Sequence, residues 1–377
     1  AGTPGVPLHR TGTSSTGAAV DIVATPIAGQ PGRYEFLNVP PSAAGGYTVT
    51  ETQPATYAPG QANPNGHAGT AQPGGNVIQG VVIPLTGTPA SVGDYLFGEL
   101  TSSQLRGRSF YDRDGDGSQG ATSSEPGLPG VTIALTGTDA NGNAVSVTTV
   151  TDAHGDYVFD KVAPGTYTVT ETRPAGYLPG LARAGTVTGA GSAPGSGPAS
   201  RTGVDRGPSG SNAPLIQQIR LGAPGSSSSG NNFASVRAAS LSGHVYADIA
   251  PANGQRDAGG PPMPGVTVTL SGTDFLGRSV TKTLTTAADG GFSATGLLPG
   301  RYQLEETQPA GTRDGAAHLG LVGAAPRGTA NPGGVNDRFG DIALASEEAG
   351  TDYDFGERGA QISGHVYVDS NGNGRRD

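Results

Sequence analysis

Residues 129–139 read PGVTIALTGTD, and residues 264–274 read PGVTVTLSGTD. In both, large aliphatic side chains fall on every second position, Val131, Ile133 and Leu135 in one and Val266, Val268 and Leu270 in the other. Successive side chains of a strand point to opposite faces, so a period of two marks a strand with one face buried in an antiparallel sheet. The near identity of two stretches so far apart also announces an internal repeat, which governs every finer reading of the chain.

Working outward, the same landmarks recur in fixed order. Before the paired strands stand LRGRSFYDRDGDG from Leu105, LSGHVYADIAPANG from Leu241 and ISGHVYVDSNGNG from Ile362. PGVPLHRTGT from Pro4 is a worn copy of the opening motif. After it come GYTVTETQPATYAPG from Gly46, GTYTVTETRPAGYLPG from Gly165 and GRYQLEETQPAG from Gly300. Each unit closes on DYLFGE at Asp94, NNFASV at Asn231 or DYDFGE at Asp352. This order divides the chain into 1–104, 105–240 and 241–361, with 362–377 as the first strand and loop of a following unit. The first unit lacks such a strand and loop of its own.

Alternation also places Ile362, Gly364, Val366 and Val368 on one face, and sets Thr168, Thr170 and Thr172 opposite Tyr167 and Val169. Turns such as DANGN at Asp139 and DAHGD at Asp152 separate the strands with residues that tolerate positive φ. No segment carries a 3.6-residue apolar period with caps, so helix should be nearly absent. The expected fold is all-β: tandem Ig-like or prealbumin-like antiparallel β-sandwiches. Residues 181–214, dominated by Gly, Ser, Ala and Pro, read as an elaborated surface loop inside the second unit, the most mobile stretch of the chain.

Composition bounds the function. The 377 residues carry a net charge of −9 with scattered Lys and Arg, which offers no footprint for nucleic acid. With no cysteine there is neither a disulfide framework nor a thiol nucleophile. No stretch is long and apolar enough to span a membrane, and the absence of an initiator Met or signal peptide before Ala1 reads as a mature or excised piece. The six histidines, His9, His67, His154, His244, His318 and His365, show no metal-ligand spacing and no nucleophile beside them. His244 and His365 recur at one repeat position and are expected to face solvent. The chain is therefore read as no enzyme.

The chemistry lies in the loop after the first strand. In DRDGDGSQ, Asp112, Asp114 and Asp116 alternate and Gly117 follows, the first half of an EF-hand-like pattern. A hard cation wants several oxygens at close range, and alternation lets the chain wrap around it. Ser118 is placed to offer its carbonyl, and Glu125 to supply a distal carboxylate two positions beyond the usual twelfth. Three carboxylates in one turn would otherwise repel one another, so Ca2+ is expected here in preference to a solvated polar turn. The last copy keeps the spacing with Asp369, Asn371, Asn373 and Asp377 but fewer charges, so its calcium should be weaker. In the middle copy, Asp248 is followed by IAPANGQRD and the site is expected to be lost.

These motifs in this order resemble the B-repeat domains of serine-aspartate repeat bacterial surface proteins, relatives of the collagen-adhesin B-type domains. The resemblance covers nearly the whole chain, and it is carried by SGHVYVDSNGNG, PGVTVTLSGTD, GTYTVTETRPAGYLPG and DYDFGE. It implies a prealbumin-like sandwich, secretion to the cell surface, calcium in the loop after the first strand, and a stalk or adhesive role. The Ala-, Gly- and Arg-rich, Lys-poor composition looks more like a high-GC Gram-negative version than a staphylococcal one. Some B-type relatives lock themselves with a Lys to Asn isopeptide bond promoted by a buried acid. Glu51, Glu171 and Glu306 stand where that acid would be, but the first strands carry no lysine and Lys161 and Lys282 lie in other elements. No isopeptide is expected, and those glutamates are read as hydrogen-bonded carboxylates at the sandwich end.

The expected function is structural: an extracellular fibre, stalk or surface filament whose partners are neighbouring repeats or copies of itself. The alternative is an adhesin module for a receptor or glycan; Tyr57 or Tyr177 could stack on sugar, although core or loop packing is the commoner use of such tyrosines. Joining Asp377 to Ala1 would regenerate a continuous repeat, NGRRD followed by AGTPGV. Two explanations fit, a window of a longer array or subunits donating a last strand head to tail, and the first is favoured.

Overall fold

The structure is a computed structural model that describes residues 6–85, 92–121, 124–189, 215–249, 255–256, 260–359, 364–370 and 372–376. Among them the only helical element is a 3-10 turn, Pro332–Gly334; everything else regular is strand. The fold is all-β, built as pairs of packed sheets, as the period-two pattern requires.

Three pairs of sheets follow one another. The first joins the strands Ala19–Val23, Leu8–Ser14, Ser42–Glu51, Val77–Val81 and Thr70–Ala71, in that spatial order, with Tyr57–Asn63 and Leu96–Thr101 paired beside them. Among the described residues, Leu96–Thr101 pairs with Tyr57–Asn63 alone. The second joins Ala144–Val150, Thr132–Asp139, Gly165–Thr172 and Leu215–Leu221 in one sheet, and holds Ser103–Tyr111 in the other between Asn232–Val236 and Ser227–Ser229. The third repeats that plan with Ser279–Thr285, Thr267–Asp274, Gly300–Glu306 and Arg338–Leu344 opposite a sheet centred on Ala239–Ala247. Most pairings are antiparallel, but the first strand of each complete pair runs parallel to the closing one, Ser109 beside Phe233 and Val245 beside Phe355. Parallel neighbours need a crossover, and here the whole opposite sheet lies between them in sequence.

By compactness the chain divides in two: Ala1–Tyr111, Gly117–Ala175 and Pro179–Ser235 form one unit, and Asp112–Asp116, Gly176–Leu178 and Val236–Asp377 the other.

Alternation does what the sequence asks of it. Val131, Ile133, Leu135, Val266, Val268 and Leu270 are all buried, and Tyr167 and Val169 point inward while Thr168, Thr170 and Thr172 do not. Leu241, Gly243 and Val245 alternate inward along the strand Ala239–Ala247. The register puts Leu135 opposite Val169 and Leu270 opposite Leu304, and the same place in the first pair of sheets, opposite Val49, is held by Arg10. Arg10 is 2% exposed, and none of its guanidinium nitrogens has a hydrogen-bond partner. It stacks over Tyr47 at 4.6 Å and near Phe36 at 5.6 Å, and lines a cavity of about 750 Å³ with Tyr34, Tyr47 and Tyr95.

Two expectations need correction. The segment expected as a strand from Ile362 is not one across residues 364–369: Val366 and Val368 are exposed and no described strand pairs with them. A strand persists only where a neighbour takes its backbone hydrogen bonds, so the alternating pattern alone does not make one. Residues 181–214 are not loop throughout, because Leu178–Arg183 and Thr186–Thr188 are strands, the latter paired with Ser227–Ser229. Residues 190–214, on which the expectation of mobility rests, lie outside the described residues.

Candidate metal loops and buried carboxylates

The strand Ser103–Tyr111 delivers the chain into the aspartate loop, and two glycines shape it: Gly115 has φ +80° and Gly117 φ +72°, a region that side chains with a Cβ adopt at a cost. The loop folds on its own carboxylates. The Gly115 amide donates to Asp112 Oδ1 at 2.7 Å and the Asp116 amide to Asp114 Oδ1 at 3.1 Å. Asp112 is fully buried and Asp114 and Asp116 are exposed, yet one oxygen of each lies within 4.8 Å of the others. The sequence-based trio is thus brought together with one wall buried and one open. Within the second compact unit the segment is held from outside as well: Arg113 O accepts from the Ser346 amide at 3.2 Å, and Gly115 leaves so little room that a Cβ would come 3.1 Å from the Phe275 ring.

Glu125 is buried but is not part of that group; its Oε2 accepts from the Gly120 amide and its carbonyl from Gln119 Nε2 at 2.8 Å. Ser118 is exposed. In the last copy Asp369 accepts from the Asn373 amide at 3.0 Å and the Gly374 amide at 2.7 Å. Asn371 and Asp377 lie outside the described residues.

A second set of carboxyls stands at the sandwich ends. Glu51, Glu171 and Glu306 end on the inward face shared with Tyr47, Tyr167 and Tyr302, and all three are buried. Glu171 is hydrogen-bonded as expected, by the Ser109 hydroxyl, while its Oε2 has no partner. Burial pushes its carboxyl up from 4.5 to about 7 against the pull of that hydroxyl and of Arg173. The expectation fails for Glu306, whose two carboxyl oxygens are buried with no hydrogen-bond partner. Its carboxyl is raised to about 9, first by burial and then by Glu357, Asp337 and Asp314. In the first pair of sheets burial raises the carboxyls of both Glu51 and Glu99, Glu51 further through the charge of Glu99, and Glu51 Oε2 and Glu99 Oε1 are buried without a hydrogen-bond partner. The partners Glu99, Glu357 and Asp337 were missed in the sequence, although the last Glu of DYLFGE and DYDFGE repeats in step with Glu51 and Glu306.

The remaining candidates fall elsewhere. His365 is exposed, but His244 is half-buried beside Asp354, 3.4 Å from its Nδ1, because Asp354 also accepts from the His244 amide at 2.8 Å and anchors the ring. Tyr177 is taken up by Arg237, which stacks on its ring at 4.9 Å and donates to its hydroxyl at 3.1 Å. Lys282 Nζ donates to Thr295 O at 2.7 Å.

Comparison with known proteins agrees with the repeat. The chain is 26% identical over 346 residues to serine-aspartate repeat-containing protein D of Staphylococcus aureus (strain Newman), covering 92% of this chain and 22% of that protein. It is 31% identical over 173 residues to serine-aspartate repeat-containing protein F of Staphylococcus epidermidis, covering 44% of this chain and 9% of that one. The chain thus spans about a fifth of the length of the first of these relatives. Among solved structures, a minor pilin of Streptococcus agalactiae is 12% identical and covered in full by 71% of this chain, with a TM-score of 0.27, a likeness too loose to argue from. The SdrD B-like domain family matches residues 103–202 and 239–356, more than half of the chain, and the chain belongs to that family.

Proposed function

We propose that this chain is a structural segment of a bacterial extracellular or cell-surface protein, a stalk of sandwich repeats bounded at 1–104, 105–240 and 241–361 and stiffened by calcium. The observation that carries the reading is the gathering of Asp112, Asp114 and Asp116 in a segment that packs inside the second compact unit, through Arg113 with Ser346 and Gly115 with Phe275. An ion holding those oxygens would also hold these contacts. Arg237 adds a second tie, reaching Tyr177, Glu347 and the Ser346 hydroxyl together. Asp369 and Asn373 would supply a corresponding, weaker loop, and the proposed partners of such a segment are neighbouring repeats or copies of itself.

Calcium should bind the whole chain with a Kd in the range of about 0.1 to 1 mM, as in extracellular modules. At 100-fold excess over Kd it should add about 2.7 kcal/mol to the unit it holds. Calorimetry and thermal melts with calcium or with chelator read both effects, and D114A/D116A should abolish the tighter binding and the shift. A chain that neither binds calcium nor melts differently in chelator would reduce the loop to a polar turn.

A further inference from the structure

We propose that Glu306, Asp337 and Glu357 form a second cation site, inside the third pair of sheets and apart from the aspartate loop, for a calcium-sized divalent ion. One carboxylate oxygen of each lies within 4.8 Å of the other two. Oxygens sharing a calcium ion at their usual distances stand no more than about 5 Å apart, so one ion can touch all three. The oxygens also want a partner. Glu306 is 5% exposed with both carboxylate oxygens buried and unbonded, and Glu357 is 0% exposed with Oε1 unbonded. Buried polar atoms are almost always paired, so three such atoms at one point call for a ligand. No ion pair among the described residues involves Glu306, Asp337 or Glu357. The next charged group to act on them is another carboxylate, Asp314, bonded to Asn336 at 2.6 Å.

The scaffold holds the donors without an ion. Glu306 ends the strand Gly300–Glu306, its amide donates to Asp337 O at 2.9 Å, and Glu357 lies within the strand Asp354–Gly359. Glu357 Oε2 is steadied by Gln308 and by the Thr312 hydroxyl at 3.0 Å. The other repeats show what the third adds. In the first, Glu51 and Glu99 meet but Asn76 occupies the place of Asp337, its carbonyl accepting from the Glu51 amide at 2.8 Å. There only two carboxyls face each other, with Glu51 Oε2 and Glu99 Oε1 buried and unbonded, and one proton between them would satisfy both. In the second, Ser235 takes the place of Glu357 and the Ser109 hydroxyl bonds Glu171. Among the described residues only the third brings three carboxyls together at this end of the sandwich, and hard, all-oxygen sites of high charge suit calcium rather than softer metals.

The test uses the whole chain with the loops silenced by D112N/D114N/D116N and D369N, titrated with Ca2+ by calorimetry and with Tb3+ by luminescence. One residual site is expected with a Kd below about 1 mM, weakened about tenfold or more by D337N and abolished by E306Q. Asp337 is half-buried and D337N recreates the first repeat, so that variant should keep its calcium-free melting temperature. No binding up to about 1 mM in the loop-silenced chain, or residual binding indifferent to D337N, would overturn the proposal. The unsilenced chain, titrated in parallel, reports on the aspartate loop independently, so the two sites can fail separately.

Discussion

Replacing Arg10 by Leu is expected to stabilise the first pair of sheets by ~2 kcal/mol, a rise in its melting temperature on the order of 10 °C. The internal repeat is the control: the equivalent positions are Leu135 and Leu270, each with no exposed surface. A guanidinium at such a place has lost its water, and here none of its nitrogens has gained a hydrogen bond. Stacking on Tyr47 and Phe36 returns about 1 kcal/mol, less than desolvation removes. Burial accordingly lowers its pKa. Differential scanning calorimetry of the whole chain separates this transition, because the substitution should leave the melt of the residues from Val236 onward in place. A variant that melts lower than the parent would mean that the guanidinium finds an anion or ordered water in the neighbouring cavity, and the Leu analogy would fail.

Arg10 also shows how legibility depends on carrying a repeat through residue by residue. PGVPLHRTGT aligns with PGVTVTLSGTD so that Arg10 falls on Leu270, a conflict with period two that is visible in the sequence alone. The inward faces of 131–135 and 266–270 were legible because side-chain alternation in a strand is a local property. The trio Asp112, Asp114 and Asp116 was legible for a similar reason, since its members are two residues apart on one turn. The place of Glu125 was less legible, because a carboxylate nine residues beyond Asp116 depends on how the chain between them folds, and its Oε2 accepts from the Gly120 amide. Asp337 lies in a stretch without a repeat counterpart in the motifs and reaches Glu306 only through strand pairing far along the chain. The segment 364–369 fails as a strand for the opposite reason: its pattern is intact and its partner strand is missing from the described residues.

The second large effect should appear as pH dependence, and E171Q isolates it. The Glu171 carboxyl is raised from 4.5 to about 7 in the folded chain, chiefly by burial against a single hydroxyl donor. Below about pH 4.5 the group is protonated whether the chain is folded or not, and its contribution to stability is fully present. Between 4.5 and about 7 the unfolded chain releases the proton while the folded chain keeps it. Stability therefore falls as pH rises, by up to about 1.4 kcal/mol per pH unit for this proton, and levels off once pH passes the folded value. The accumulated loss is on the order of 3 kcal/mol. Gln carries the shape of the neutral acid and cannot ionise, so E171Q should match the parent near pH 4.5 and melt above it at pH 8. Thermal melts of both chains across that range, in chelator to keep calcium out of the comparison, decide the matter. A parent whose second pair of sheets melts at the same temperature at pH 4.5 and pH 8, or an E171Q chain that is weaker at pH 8, would show that the carboxylate is stabilised when ionised. In that case Arg173 and the Ser109 hydroxyl would outweigh burial, and the sandwich end would be an anion's site rather than an acid's.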